Sequence, residues 1–155
     1  MRKTYTWLAW TIAGCVFVQA ASIAFGFGGM AGYVQGGGVV DKALVESGTA
    51  SNFTGELGFP THEIVGGMVV PLVALVLLAI SFFVKVPGAR KWAAILFGLV
   101  FLQIMAGYSI RDVPYVGALH GANALAVLLT AVHAARLVRR GDRATNESPT
   151  ARVTV

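Results

Sequence analysis

Four long apolar stretches divide the chain, at residues 5–25, 63–84, 92–110 and 114–138. Each approaches or exceeds the roughly 20 residues that an α-helix needs to cross the hydrocarbon core of a bilayer. Polar connections at residues 85–91 and around Arg111, Asp112 and Pro114 are short, which makes consecutive helices antiparallel neighbours. The pattern predicts an all-α protein, a four-helix transmembrane bundle over residues 1–140 followed by a disordered polar tail at 141–155. Pro87-Gly88 stops the second span, and Pro71 is expected to kink it. Asp112 is a candidate N-cap for the fourth helix, with Pro114 in its first turn. The one long connection, residues 26–61, begins with a run of glycines and contains an apolar-polar segment, 39–47, that predicts a short helix lying on the surface. Loops of this length are uncommon and often serve as lids; the alternative is a mobile surface loop.

Composition agrees with the pattern. The chain is 56% hydrophobic and 12% charged, with mean hydropathy +0.72, whereas soluble domains carry about 25% charge. The net charge of +5 would point to nucleic acid were it not for its placement. Arg2 and Lys3 precede the first span, Lys85, Arg90 and Lys91 lie between the second and third, and Arg136, Arg139, Arg140, Arg143 and Arg152 end the chain. Lys42 and Arg111 fall on the other side, with most of the acidic residues. This positive-inside distribution places both termini in the cytoplasm and the protein in the plasma (inner) membrane. The basic excess is a topology signal, and no nucleic-acid partner is expected. Cys15 is the single cysteine, so intramolecular disulfides and cysteine-cluster metal sites are excluded. Arg2-Lys3, an apolar run and Ala20-Ala21-Ser22 look like a signal peptide. The run exceeds the about 7–15 residues of a signal core, so a retained helix is expected.

Two pairs of polar residues interrupt the apolar spans in the same way. Val16-Phe17-Val18-Gln19 is followed by His62 at the start of the next span, and Val100-Phe101-Leu102-Gln103 is followed by His120 near the start of the last. The match suggests an internal two-helix repeat, related by an axis along the membrane normal. His62 and His120 would then lie at similar depth near the outer face, His120 about 9 Å along its helix from Pro114. Two neutral imidazoles are axial ligands for haem iron. Zinc needs four ligands, or three and water, and no convincing third residue is present. Gly66, Gly67, Gly117, Gly121 and Ala124 leave room for a macrocycle, although small residues also let helices pack closely. Gln19, Gln103 and Asn123 are candidate cofactor contacts, although for Gln19 and Gln103 the favoured role is interhelical hydrogen bonding. His133 has no matching residue in its half of the bundle and is read as an interfacial side chain beside Arg136. There is no Ser/His/Asp signature, no HExxH and no intramembrane carboxylate pair, so no catalytic residue is assigned and an enzyme is not the favoured reading.

Leu102-Gln103-Ile104-Met105-Ala106-Gly107, then Leu119-His120 and Ala124, resembles one half of the heme A synthase family. That family is built from two four-helix halves, with haem-ligating histidines on the second and fourth helices of each. The resemblance implies haem ligation by His62 and His120, and it matches the long outer loop before His62. The family's catalytic glutamate, four residues before a histidine, falls on Gly58; Glu63 stands where an arginine often follows the histidine; and the loop cysteines are absent. These departures bear on oxygenase chemistry more than on haem binding. The chain is also similar to small four-span proteins of GC-rich bacteria, which implies no activity. The functional expectation is a membrane protein binding haem, b-type, for electron transfer or haem handling. It would sit in the lipid bilayer as a homodimer or within a larger membrane complex. The alternative is a cofactor-free accessory or assembly subunit of such a complex.

The charge distribution makes one direct prediction. A fluorescent protein that matures only in the cytoplasm, fused after Val155, is expected to fluoresce, while a phosphatase active only after export should stay silent there. The opposite pair of results would invert the topology.

Overall fold

The computed structural model describes residues 1–46 and 52–146, with side chains through residue 140. It is helical throughout its regular parts: α1 (Arg2–Gln35), α2 (Lys42–Glu46), α3 (Gly58–Ile64), a π-helical turn (Val65–Val69), α4 (Val70–Ser81), α5 (Ala89–Ser109) and α6 (Val116–Asn146). The continuous helix Gly58–Ser81, together with α1, α5 and Val116–Arg140 of α6, makes four helices long and apolar enough to cross a membrane.

Helix ends differ from the sequence expectation, each for a physical reason. Residues 26–35, expected to open the long loop, continue α1 to Gln35. The helix stops one glycine further on. Gly37 takes a left-handed φ of 92°, Gly38 N–H donates to the Tyr33 carbonyl and Gly37 N–H to that of Val34. This is a Schellman C-cap, which needs a residue without a Cβ. Of the earlier glycines, Gly26 and Gly29 admit close neighbours, the Phe59 ring and the Thr54 carbonyl. The surface helix spans Lys42–Glu46 rather than 39–47, because the Asp41 carboxylate accepts the Leu44 N–H at 2.9 Å and sets its start; Ser47 lies outside the described residues. The second span begins at Gly58 rather than 63, so His62 is inside a helix, with Pro60 in the first turn where its missing N–H costs nothing. The fourth helix begins at Val116, after three tight turns that join Val113 to Val116, Pro114 to Gly117 and Tyr115 to Ala118. It runs on to Asn146, so 141–146 are helix rather than tail. Gly141 costs a helix about 1 kcal/mol against alanine but does not end it. Residues 147–155 of the expected tail lie outside the described residues.

The turn ahead of Pro71 is π-helical. Pro71 lacks an N–H, and its ring crowds the carbonyl four residues back. The helix widens ahead of it into the π turn, with Val70 N–H bonded to the Val65 carbonyl. Such local adjustment keeps backbone groups paired where water is absent.

The chain forms two compact units. One comprises Met1–Ala13 and the chain from Pro71 onward. Its core is Tyr5, Ala9 and Ile12 of α1, Ala74, Leu77 and Ser81 of α4, Ala89, Ala93 and Leu96 of α5, and Ala131, Ala134, Ala135 and Val138 of α6. Alanine dominates because helices in lipid gain from close backbone approach rather than from hiding large apolar groups. Phe82, Phe101, Leu119 and Leu129 instead point outward. Tyr5 supplies the one large polar anchor, its hydroxyl donating to the Ala89 carbonyl at 2.9 Å in a buried site. Helices α5 and α6 are antiparallel: as α6 advances from His120 to Leu137, its contacts on α5 and the preceding turn retreat from Gln103 to Gly88. Gly88, at φ 85°, makes the turn into α5.

The second unit is Gly14–Val70. Here the segment from Asn52 to Gly58 is strapped along α1. A Cβ on Gly29 would strike the Thr54 carbonyl, and one on Gly58 the Ser22 carbonyl. Phe59 packs edge-on to Phe27 at 5.3 Å, and Phe53 bridges Tyr33 and Phe59. The Glu56 carboxylate accepts both the backbone N–H and the side-chain amide of Asn52. This part of the long connection is therefore docked, and neither of its two sequence readings described that.

Gly29→Val is expected to destabilise the protein by about 1–3 kcal/mol, the usual cost of overpacking. Gly28→Ala, whose added Cβ meets nothing within 4 Å, should stay within about 0.5 kcal/mol. Thermal unfolding in detergent compares the two.

Candidate functional site

His62, in the second turn of α3, reaches across to α1. Its Nδ1 lies 3.1 Å from the backbone carbonyl oxygen of Gln19. His120, in the second turn of α6, reaches α5 in the same way, its Nδ1 3.1 Å from the backbone carbonyl oxygen of Gln103. A helical carbonyl has two lone pairs, and the helix itself uses one. Because a carbonyl can only accept, Nδ1 must carry the proton in both rings. In each neutral imidazole the lone pair therefore resides on Nε2. Metal-ligating histidines are oriented in this manner, with one ring nitrogen held by a carbonyl or carboxylate and the other left with ligand chemistry. Both rings are half-buried.

Glycines make the approach possible. A Cβ at Gly107, one turn beyond Gln103, would sit 3.3 Å from Cε1 and 3.5 Å from Nδ1 of His120. Gly107 thus lets the ring lie against α5. In the other unit, a Cβ at Gly66 would come 2.7 Å from Oε1 of Gln19, so the π turn brings a glycine against that side chain. Gly67, Gly117 and Gly121 have nothing within 4 Å of an added Cβ. Sequence reading identified Gly66, Gly67, Gly117 and Gly121 as permissive but did not give Gly107 its role. Its spacing of four residues from Gln103 is the signal that marks it.

The two glutamine side chains have different surroundings. The Asn123 amide donates to Oε1 of Gln103 at 2.7 Å and to the Leu99 carbonyl at 2.9 Å, locking α6 to α5 just below His120. The residue three beyond His62 is Val65, which offers no such group. The Nε2 of Gln19 is buried without a hydrogen-bond partner among the described residues. Gly58 lies against the Ser22 carbonyl and Gly26. No larger residue fits there, so this chain cannot place a carboxylate at that position in this packing. Glu63 is exposed. His133 stacks on Trp92 with ring centroids 4.2 Å apart, far along α6 from His120. Among the described residues no group of three or more His, Cys, Asp or Glu side chains could hold a metal ion.

The fold and its apolar helices define a multi-pass helical membrane protein. No protein-family model, no curated protein and no solved structure matches the chain. Its function is therefore argued from the histidines and their surroundings.

A double-mutant cycle on Gln103 and Asn123, each changed to alanine, should return a coupling of about 0.6 kcal/mol, typical of interhelical side-chain bonds in membranes. Pairing Gln19→Ala with Asn123→Ala should be additive. Unfolding in detergent by denaturant titration supplies the four stabilities of each cycle.

Proposed function

We propose that the protein binds b-type haem through His62 and His120 as axial ligands and serves electron transfer or haem handling. The observation that carries this reading is the shared construction of the two histidines, each with Nδ1–H held by a helix carbonyl at 3.1 Å. That bond sets the tautomer, fixes the ring plane and raises the basicity of Nε2. The donor set suits haem. A porphyrin brings four nitrogens and asks the protein for imidazoles alone, whereas a bare zinc ion asks for at least three protein ligands. Cys15 is the only cysteine, so a thioether-linked haem is not what the reading requires. Bound haem would supply one-electron transfer. The chain's own residues orient the ligands: the Gln19 and Gln103 carbonyls hold the Nδ1 protons, and Asn123 braces Gln103. The same reading takes the two Gln–His pairs as an internal duplication. It also places both termini in the cytoplasm, on the strength of the cation distribution.

The test is an absorption spectrum of the purified protein, oxidised and then reduced with dithionite. The expected result is a Soret band and a sharp reduced α-band, lost or converted to a high-spin form in His62→Ala and in His120→Ala. Gln103→Leu should retain the low-spin spectrum, because the atom that orients His120 belongs to the main chain. Full retention of the bands in both histidine variants overturns the ligand assignment. A colourless protein after expression with a haem precursor overturns the reading as a whole and favours an accessory subunit, recognisable by a stable partner on gentle purification.

A further inference from the structure

A second site lies on α6, away from His120 and inside the first unit. Leu129, Val132, His133, Arg136, Leu137 and Arg140 line a groove of about 290 Å³. His133, Arg136 and Arg140 recur at helical spacing and form one stripe along the helix. Among the described residues neither guanidinium has a carboxylate partner, in contrast to Arg2, which donates to the Lys85 carbonyl, and Arg90, which covers the Phe82 ring at 5.0 Å. The groove also has a polarity along its length. Leu129 and Val132 are at the end nearer the middle of the apolar span, and Arg136 and Arg140 follow about 10 and 16 Å further on, where the helix leaves its apolar stretch. His133 is held at the junction by stacking on Trp92, and tryptophan favours the level of lipid headgroups. An apolar stretch that ends in two guanidiniums with no carboxylate partner among the described residues has the shape and charge order of a phospholipid, with acyl chain first and phosphate last.

We propose that this groove binds an anionic phospholipid, its phosphate between Arg136 and Arg140 and an acyl chain along Leu129 and Val132. Arginine suits the role because its planar fork pairs phosphate oxygens two at a time. Basic grooves at the ends of membrane helices are the sites where acidic lipid headgroups lodge. The two arginines would thus be satisfied by lipid rather than by protein, and α6 would be anchored at the depth that also sets His120. The proposal does not require haem.

Native mass spectrometry of the full-length protein, titrated with dioleoyl phosphatidylglycerol or dioleoyl phosphatidylcholine, tests it. Phosphatidylglycerol is expected to bind more tightly to the unaltered protein, and Arg136→Gln with Arg140→Gln should weaken it by about 30-fold. The pair Lys91→Gln with Arg139→Gln removes the same charge outside the groove and should leave the affinity within about twofold. Equal binding of the two lipids overturns the proposal. So does equal weakening by both pairs, which would mean a diffuse surface potential rather than a site. Glycerol 3-phosphate serves as the soluble headgroup; if it binds as tightly as the lipid, the groove is a site for free phosphate esters and the lipid assignment is wrong.

Discussion

In an apolar surrounding the protein must satisfy its own backbone, and helices can then associate only by coming close. The rest of the structure depends on that constraint. It explains why the buried face of the first unit is rich in alanine, with Ala9, Ala74, Ala93, Ala131, Ala134 and Ala135, while Phe82, Phe101, Leu119 and Leu129 are displayed outward. It explains why Gly26 and Gly29 stand in α1 where the Thr54–Gly58 strap comes to backbone distance. Even the π turn ahead of Pro71 is a local repair of the same kind, since an unpaired carbonyl there would have no water to turn to.

Close approach also exposes main-chain carbonyls to side chains of neighbouring helices. Gln19 and Gln103 contribute through their backbone oxygens, and it is those oxygens that the imidazoles of His62 and His120 meet. A ring held in this way has a defined tautomer and little rotational freedom, so the cost of ordering it is met by the fold before any ligand arrives. The amide side chains have separate roles. That of Gln103 is consumed by Asn123, whereas the Nε2 of Gln19 is left buried and unpaired. The two histidine sites are therefore alike in how they hold the ring and unlike in what surrounds it.

Helix α6 links the two regions of chemical interest. Near one end it carries His120 and Asn123 against α5; near the other it carries the His133, Arg136 and Arg140 stripe, with Trp92 stacked on His133. The buried residues of α6, Val127, Thr130, Ala131, Ala134, Ala135 and Val138, lie toward that second end. The face of α6 between Val116 and Ala126 buries no side chain fully. Tight packing is thus concentrated away from His120, and the imidazole sits where the helix pair is more open.

The number and approximate place of the long helices were legible in the sequence, because apolar length and composition are properties of a contiguous run that lipid reads directly. The clustering of cations near helix ends was equally plain. The helix limits were not. Gly26, Gly28, Gly29 and Gly32 read as a loop because a glycine that turns the chain and a glycine that admits a neighbour are the same letter; the strap lying across α1 shows Gly26 and Gly29 to be of the second kind, and within that run it is Gly37 that takes the left-handed φ of a turn. The polar residues of the candidate site could be named from sequence, since His62, His120, Gln19, Gln103 and Asn123 interrupt otherwise apolar spans. Which atoms they present to one another could not. A backbone carbonyl leaves no trace in residue identity, and the room for His120 comes from Gly107 on another helix. The sequence determined which segments are helical enough and apolar enough for a membrane; the tertiary structure alone decided which carbonyl orients each imidazole, because that depends on how closely two helices approach.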